Sequence, residues 1–367
     1  MENPLVGNFH EEGDKKMEIT KMKIKIKTIT PTLIRSGEEL SNVTDCVIQG
    51  NELKIIDKEK LLNIFKGKDP KSFVAELSNT IINERRTIYD FLNNKNINID
   101  QVTKYTLKVK SQIDPSERRS IYMPITTGNK AYIPGSTLKG IIRSALLFYY
   151  LDEISSKGQI QFDIKQEIEK ALREEPKDAS TDIMKYIIVR DTNGIPFTEL
   201  ELYKIERMPH RRISQYILAI PGSKEFYTEI TFNVYSTKIP NYWVKFFEKK
   251  EDNLWEAMRN YSIKLVKKEI EILEKLINKE KNNENNAFID LKKHYEEVLK
   301  RSEIGENKNL IYLPIGFGKT YYFNSLGYFN NKCPKPKNLK VFPSTRWALK
   351  IGEKYYPLGW CALLRYE

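Results

Sequence analysis

Acid–base chemistry near neutral pH leans on histidine, and this chain has three: His10, His210 and His294. His10 sits in a polar N-terminal stretch. His294 stands among Lys292, Lys293 and Glu296, which reads as a solvated helix face. His210 is followed by Arg211 and Arg212, and spacing identifies no acid or base partner for it. Metal chemistry has no better foothold: no His-Asp dipeptide, Cys-x-x-Cys or metal-type histidine spacing occurs. Cys46, Cys333 and Cys361 are odd in number and far apart, which argues against disulfides and thiolate sites alike. Asp45, Asp114 and Asp191 lie in loop-like surroundings, where aspartate is ordinarily a turn former. No catalytic residue, metal ligand or cofactor is expected.

Anion binding is better supported. Gly316-Phe-Gly-Lys-Thr320 has the glycines and lysine of a phosphate loop, but a Walker sequence needs glycine where Leu313 stands, so nucleotide hydrolysis is not the reading. Gly316 and Gly318 still allow close approach of a phosphodiester backbone, with Lys319 beside it. The structural alternative is a tight turn. Gly135-Ser136, with Ser136 as N-cap, opens an apolar helix on which Lys139 and Arg143 are four residues apart and share a face. A helix N-terminus with two cations suits phosphate; the plainer alternative is a capped core helix whose cations face water. Arg35 and Ser36, in a polar glycine-containing turn, are further candidates, as are Arg211 and Arg212.

The elements that must position these groups read as α+β. Lys21 to Thr30 alternates lysine with apolar residues at period two, the pattern of a half-buried strand. Leu53 to Ile56 is a second strand, after which Asp57 caps a helix through Phe65. Lys71 to Leu92 reads as helical, Ser111 to Asn129 as loop, and Lys185 to Val189 and Phe226 to Tyr235 as strands, with Glu206 to Arg212 a charged hairpin between them. Trp243 to Arg301 is helical, with Ile263, Val266, Ile270, Leu273 and Ile277 on one face and an asparagine-rich turn at Lys279 to Asn286. After a Pro-Lys-Pro loop around Cys333 to Lys337, Arg346 to Ile351 is a strand, and Pro357-Leu-Gly-Trp360 turns into the last one.

A length of 367 residues exceeds what one core ordinarily organises, so two domains are expected. With 40% hydrophobic and 30% charged residues the chain is globular, and no apolar run is long enough to span a bilayer. No secretory or transit signal is recognisable, which places the protein in the cytoplasm. The formal charge of +12 favours a polyanionic partner. The excess is local: Trp243 to Glu303 holds 14 basic and 13 acidic residues, but Ile304 to Glu367 holds 10 and 3.

Ile133-Pro-Gly-Ser-Thr-Leu-Lys-Gly-Ile-Ile-Arg-Ser-Ala-Leu146 resembles the "IPGSSLKGALR" segment of the RAMP superfamily of CRISPR proteins, and Ile315 to Lys319 resembles its C-terminal glycine-rich loop. The opening Thr30-Pro-Thr-Leu-Ile-Arg-Ser-Gly-Glu-Glu39 and closing Pro357 to Trp360 are similar to those of the family that caps guide RNA in type III-A (Csm) complexes. The resemblance implies tandem ferredoxin-like (RRM-related) domains with helical insertions: a tail at 1–16, one domain at 17–237 and one at 238–367. It implies a non-catalytic subunit that holds the 3′ part of the guide (crRNA). Its partners would be other Csm subunits, above all the repeated backbone subunit, and host nucleases that mature the guide; no membrane is involved. Gly135, Ser136, Lys139, Arg143, Gly316, Gly318 and Lys319 would then contact RNA backbone or the adjoining subunit. Two alternatives stay open: a metal-independent guide-processing endoribonuclease of the same superfamily, tested at His210, and a protein-only scaffold.

Overall fold

The computed structural model describes residues 19–65, 69–114, 117, 119–157, 168, 171–175, 178–209, 213–234, 239–279, 285–303, 307–329 and 341–366. The chain opens with β1 (Thr20–Thr28), β2 (Arg35–Ser41), β3 (Cys46–Gln49) and β4 (Glu52–Ile56). Three helices, α1 (Lys58–Ile64), α2 (Pro70–Ser78) and α3 (Ile88–Asn94), lead to β5 (Thr103–Val109), β6 (Ser120–Pro124), β7 (Thr126–Thr127) and β8 (Lys130–Ala131). After α4 (Gly135–Ser156) come β9 (Ile187–Val189), β10 (Ile195–Pro196), β11 (Glu201–Met208), β12 (Ser214–Ala219) and β13 (Glu225–Phe232). Helices α5 (Asn241–Glu248), α6 (Lys250–Lys279) and α7 (Asn285–Glu303) precede β14 (Leu310–Pro314), the short α8 (Tyr321–Asn324), β15 (Arg346–Ile351), β16 (Lys354–Pro357) and β17 (Trp360–Tyr366).

Two sheets position the site. The first has the order β14-β17-β1-β13-β9 and is antiparallel throughout. The period-two pattern of β1 does what the sequence implies: Met22, Ile24 and Ile26 are buried, while Lys21, Lys23, Lys25 and Lys27 occupy the other face. On the buried face Leu138, Ile141 and Ile142 of α4 and Met258 of α6 pack against Ile24, Ile26, Ile230 and Leu363. The succession β1-α4-β9-β13-α6-β14 is the βαββαβ order of a ferredoxin-like core, with β17 inserted between β14 and β1. This sheet takes strands from both sides of residue 237.

The second sheet runs β2-β6-β12-β11-β5-β4-β3, and β15 pairs with β11 beyond the end of β5. Helices α1, α2 and α3 form a satellite core around Phe65, Phe73 and Phe91. Asp57 caps α1 as expected, accepting from the amides of Glu59 and Lys60 at 3.0 and 3.1 Å.

Three expectations are corrected. The segment 111–129 is not all loop, because Ile121 and Met123 alternate inward and make β6. Arg35 to Glu39 is not a free turn but the start of an edge strand, bulged between Arg35 and Glu39 with Gly37 at φ +95°. Ser136 is not the N-cap of α4: the cap position is Pro134, and the Gly135 amide donates to Asp191 Oδ1 at 2.7 Å. Among the described residues no helix is long and apolar enough to cross a membrane.

Candidate nucleic-acid interface

Three segments that are remote in sequence lock into one structure at the C-terminal end of β14. The Phe317 amide donates to the Leu33 carbonyl at 2.7 Å, Ile315 N–H to Gly359 O at 2.7 Å, and Gly359 N–H to Pro31 O at 2.9 Å. The amide of Trp360 donates to Thr30 Oγ1 at 2.9 Å. The opening motif, the glycine-rich loop and the closing motif are therefore one object. Glycine is required at its crossings: Gly316 and Gly359 have φ of +81° and +76°, and a Cβ would lie 2.2 and 2.3 Å from the carbonyl oxygens of Leu33 and Ile315. Gly318, at φ +88°, lies instead against the Leu358 side chain, whose Cβ would be 2.9 Å from an added Cβ. The close approach that Gly316 and Gly359 permit is to the chain's own backbone. The helix after the loop, α8, has four residues, so no long-helix dipole backs it as in a nucleotide-binding loop.

The groups this knot presents are cationic and aromatic. The Arg35 guanidinium lies 3.7 Å from the centroid of Tyr122, whose ring meets Phe317 edge-on at 5.9 Å. Phe317 continues to Trp347 at 6.0 Å. All three rings are partly exposed, so the row Arg35–Tyr122–Phe317–Trp347 places aromatic surface and a cation at the protein surface, with Arg35 stacked on Tyr122. Arg35 is also paired with Glu39 at 2.7 Å. Ser36 is occupied internally, donating to Met123 O and accepting from the Glu38 amide. Lys319 is half-buried and makes no ion pair among the described residues, and burial lowers the pKa of its ammonium. Burial of an ammonium with no counter-charge among the described residues disfavours its charged form.

The loop is fixed from below. Thr320 Oγ1 donates to Glu269 Oε1 at 2.6 Å, and Arg346 grips Glu269 Oε2 through Nη2 at 2.7 Å and Nε at 3.0 Å. The side chains of Glu269 and Arg346 are 0% and 2% exposed, so this is a desolvated ion pair joining α6, β15 and the loop. Sequence reasoning missed it. The available signal was an acidic residue on the apolar stripe of α6, between Val266 and Leu273.

The second expected constellation forms elsewhere. Gly135 sits where a Cβ would be 2.2 Å from Val189 O, so its role is helix–sheet contact. Ser136 is exposed, Lys139 is half-buried, and Arg143 pairs with Asp182 at 3.9 Å. This group adjoins β9 and the glycine loop adjoins β14, the two edges of one five-stranded sheet. Four strand spacings separate them, about 19 Å. His210, Arg211 and Arg212 lie outside the described residues, as do the Lys279–Asn286 turn at 280–284 and the loop around Cys333.

His294 is not on a solvated face. Its ring packs against Trp360 at 5.7 Å, its Nε2 is buried without a hydrogen-bond partner among the described residues, and burial lowers its pKa to about 4. Asp45 accepts from the Ser41 amide and pairs with Lys58, and Asp191 caps α4; both serve the fold. Asp114 lines a cleft of about 900 Å³ with Lys110, Lys204 and Lys350. No group of three His, Cys, Asp or Glu among the described residues is placed to hold a metal ion.

Fold, interlocked motifs and loop agree with one classification, and the RAMP superfamily profile matches residues 25–321: the chain belongs to the RAMP superfamily. It is homologous to Csm5. The CRISPR system Cms protein Csm5 of Methanocaldococcus jannaschii is 28% identical over 354 residues, covering 92% of this chain and 77% of that protein. Among solved structures, a chain of a cryo-EM structure of the Csm–crRNA–target RNA ternary complex of a type III-A CRISPR–Cas system superposes with TM-score 0.65. That match has 21% identity over 94% of this chain and all of that one. The crystal structure of T. onnurineus Csm5 superposes with TM-score 0.60 and 19% identity over 92% of this chain and 99% of that one.

Proposed function

We propose that this protein is a non-catalytic crRNA-binding subunit of a type III-A Csm ribonucleoprotein. It would hold the 3′ part of the guide and support its maturation by other nucleases. The observation that carries the reading is the interlock of three remote motifs into a surface with Arg35, a row of aromatic rings and Lys319, which has no ion-pair partner among the described residues. Bases of a single strand stack on such rings while cations take the phosphates. In this reading Lys139 and Arg143 at the far sheet edge meet RNA backbone or the neighbouring backbone subunit.

Reconstituting the complex with Lys319→Ala/Phe317→Ala and sequencing the guide 3′ ends tests this. Shortened or heterogeneous ends are expected; ends identical to wild type, with the variant incorporated normally, contradict the proposal.

A further inference from the structure

The five-stranded sheet is covered by helices on one face, and its other face is chemically organised. Lys21, Lys23, Lys25 and Lys27 line it at every second residue of β1, about 6.7 Å apart from twice the strand rise. That interval is of the order of the phosphate spacing of an extended single strand. Lys25 stands opposite Tyr227 of β13, and Lys23 opposite Tyr366 of β17. The two tyrosines are 44% and 38% exposed and meet edge-on across β1, with centroids 6.3 Å apart. Lys21 and Lys25 are paired with Glu229 and Glu225, at 3.4 and 2.8 Å, whereas Lys23 and Lys27 make no ion pair among the described residues.

Towards β14 the same face deepens into a groove of about 480 Å³. Leu310 and Leu364 provide an apolar floor; Lys25 and Lys27 of β1 and Arg301 of α7 line it, together with Glu225, the partner of Lys25, and Arg301 is itself paired with Glu297. A few hundred Å³ is the size of a site for a small ligand such as a nucleotide unit. An apolar floor lined by cations is the arrangement that takes a base below and a phosphate above. An acidic protein surface would use the cations but would have no need of paired exposed rings.

We propose that this open sheet face is a second binding track for single-stranded RNA. Tyr227 and Tyr366 would stack bases, Lys23, Lys27 and Arg301 would contact phosphates, and the groove at Leu310 and Leu364 would receive one nucleotide. The proposal rests on the RNA-binding reading given above but uses none of the residues of the glycine-loop surface.

The test uses the full chain, a fluorescent ten-nucleotide RNA carrying 4-thiouridine, a salt series, and mapping of photo-crosslinks by mass spectrometry. Lys23→Ala/Lys27→Ala should flatten the plot of log K against log salt by about 1.4, the contribution of two single-strand phosphate contacts. Tyr227→Ala/Tyr366→Ala should weaken binding about five-fold or more with the slope unchanged. Wild-type crosslinks should map to β1, β13 or β17, a readout independent of whether any variant folds. Crosslinks confined to 313–320, with both variants binding as wild type and Lys319→Ala binding weakly, would overturn this track and leave the glycine-loop reading standing. Wild-type binding that is absent or insensitive to salt would overturn both. Unchanged RNA affinity with loss of assembly in the lysine variant would reassign the face to a protein neighbour.

Discussion

Arg346→Ala isolates the foundation under the glycine-rich loop. The substitution leaves the Glu269 carboxylate at 0% exposure, with the Thr320 hydroxyl as its remaining hydrogen-bond donor among the described residues. Stranding one member of a buried pair costs about 3–5 kcal/mol, a large part of the about 5–15 kcal/mol that holds a folded protein together. At about 2 °C per kcal/mol for a large domain, the thermal midpoint should fall by roughly 6–10 °C. Glu269→Leu/Arg346→Met/Thr320→Val replaces the network with apolar groups and should return the midpoint to near wild type, since such pairs are seldom net stabilising. RNA affinity should nevertheless stay reduced in this variant, because the loop has lost the tether beside Lys319. Urea or thermal melts, with anisotropy binding on the same samples, read both effects. A loss below about 1 kcal/mol in Arg346→Ala, or wild-type RNA affinity in the triple variant, refutes the reasoning.

An ammonium binds phosphate only while protonated, so the affinity proposed for Lys319 should be full below its pKa and lost as pH rises through it. Burial moves that loss below 10.5, and Lys319→Arg should remove the alkaline decline in an anisotropy titration. His294 titrates near 4 in the fold against 6.5 when unfolded, so the unfolded chain binds the proton first. Its stabilising contribution is present above about pH 6.5 and is lost as pH falls towards 4, amounting to about 3 kcal/mol. Comparing the melting of wild type and His294→Leu across that interval should show a flatter profile for the variant. Gly135→Ala drives a methyl into the Val189 carbonyl and should cost about 1–3 kcal/mol, while Ser136→Ala, at an exposed position without a capping bond, should be near neutral. Denaturant midpoints of the two variants check this.

Local patterning made much of the fold legible. The alternation in β1, the Asp57 cap, the long helical segment after Trp243, and the strand Arg346–Ile351 all depend on nearest neighbours along the chain. What escaped depends on contacts that spacing does not encode. Asp191 caps a helix 56 residues away, and Glu269 meets Arg346 across 77. A serine beside a helix start is a capping signal, and it failed here because Asp191 reaches the Gly135 amide first. The glycine motifs were visible as motifs, but their reason was not, since Gly316 and Gly359 are demanded by backbones arriving from residues 33 and 315. The exposed look of His294 came from its charged neighbours in sequence, whereas its ring turns inward onto Trp360.

The most direct test of the central claim is to incubate the purified chain with a labelled guide-repeat transcript across a salt series without divalent metal, beside His210→Ala and Lys139→Ala/Arg143→Ala. Salt-sensitive binding with the transcript intact, weakened in the lysine–arginine variant and unchanged in His210→Ala, is the predicted result. Discrete cleavage products that disappear in His210→Ala would contradict it and make the protein a guide-processing ribonuclease.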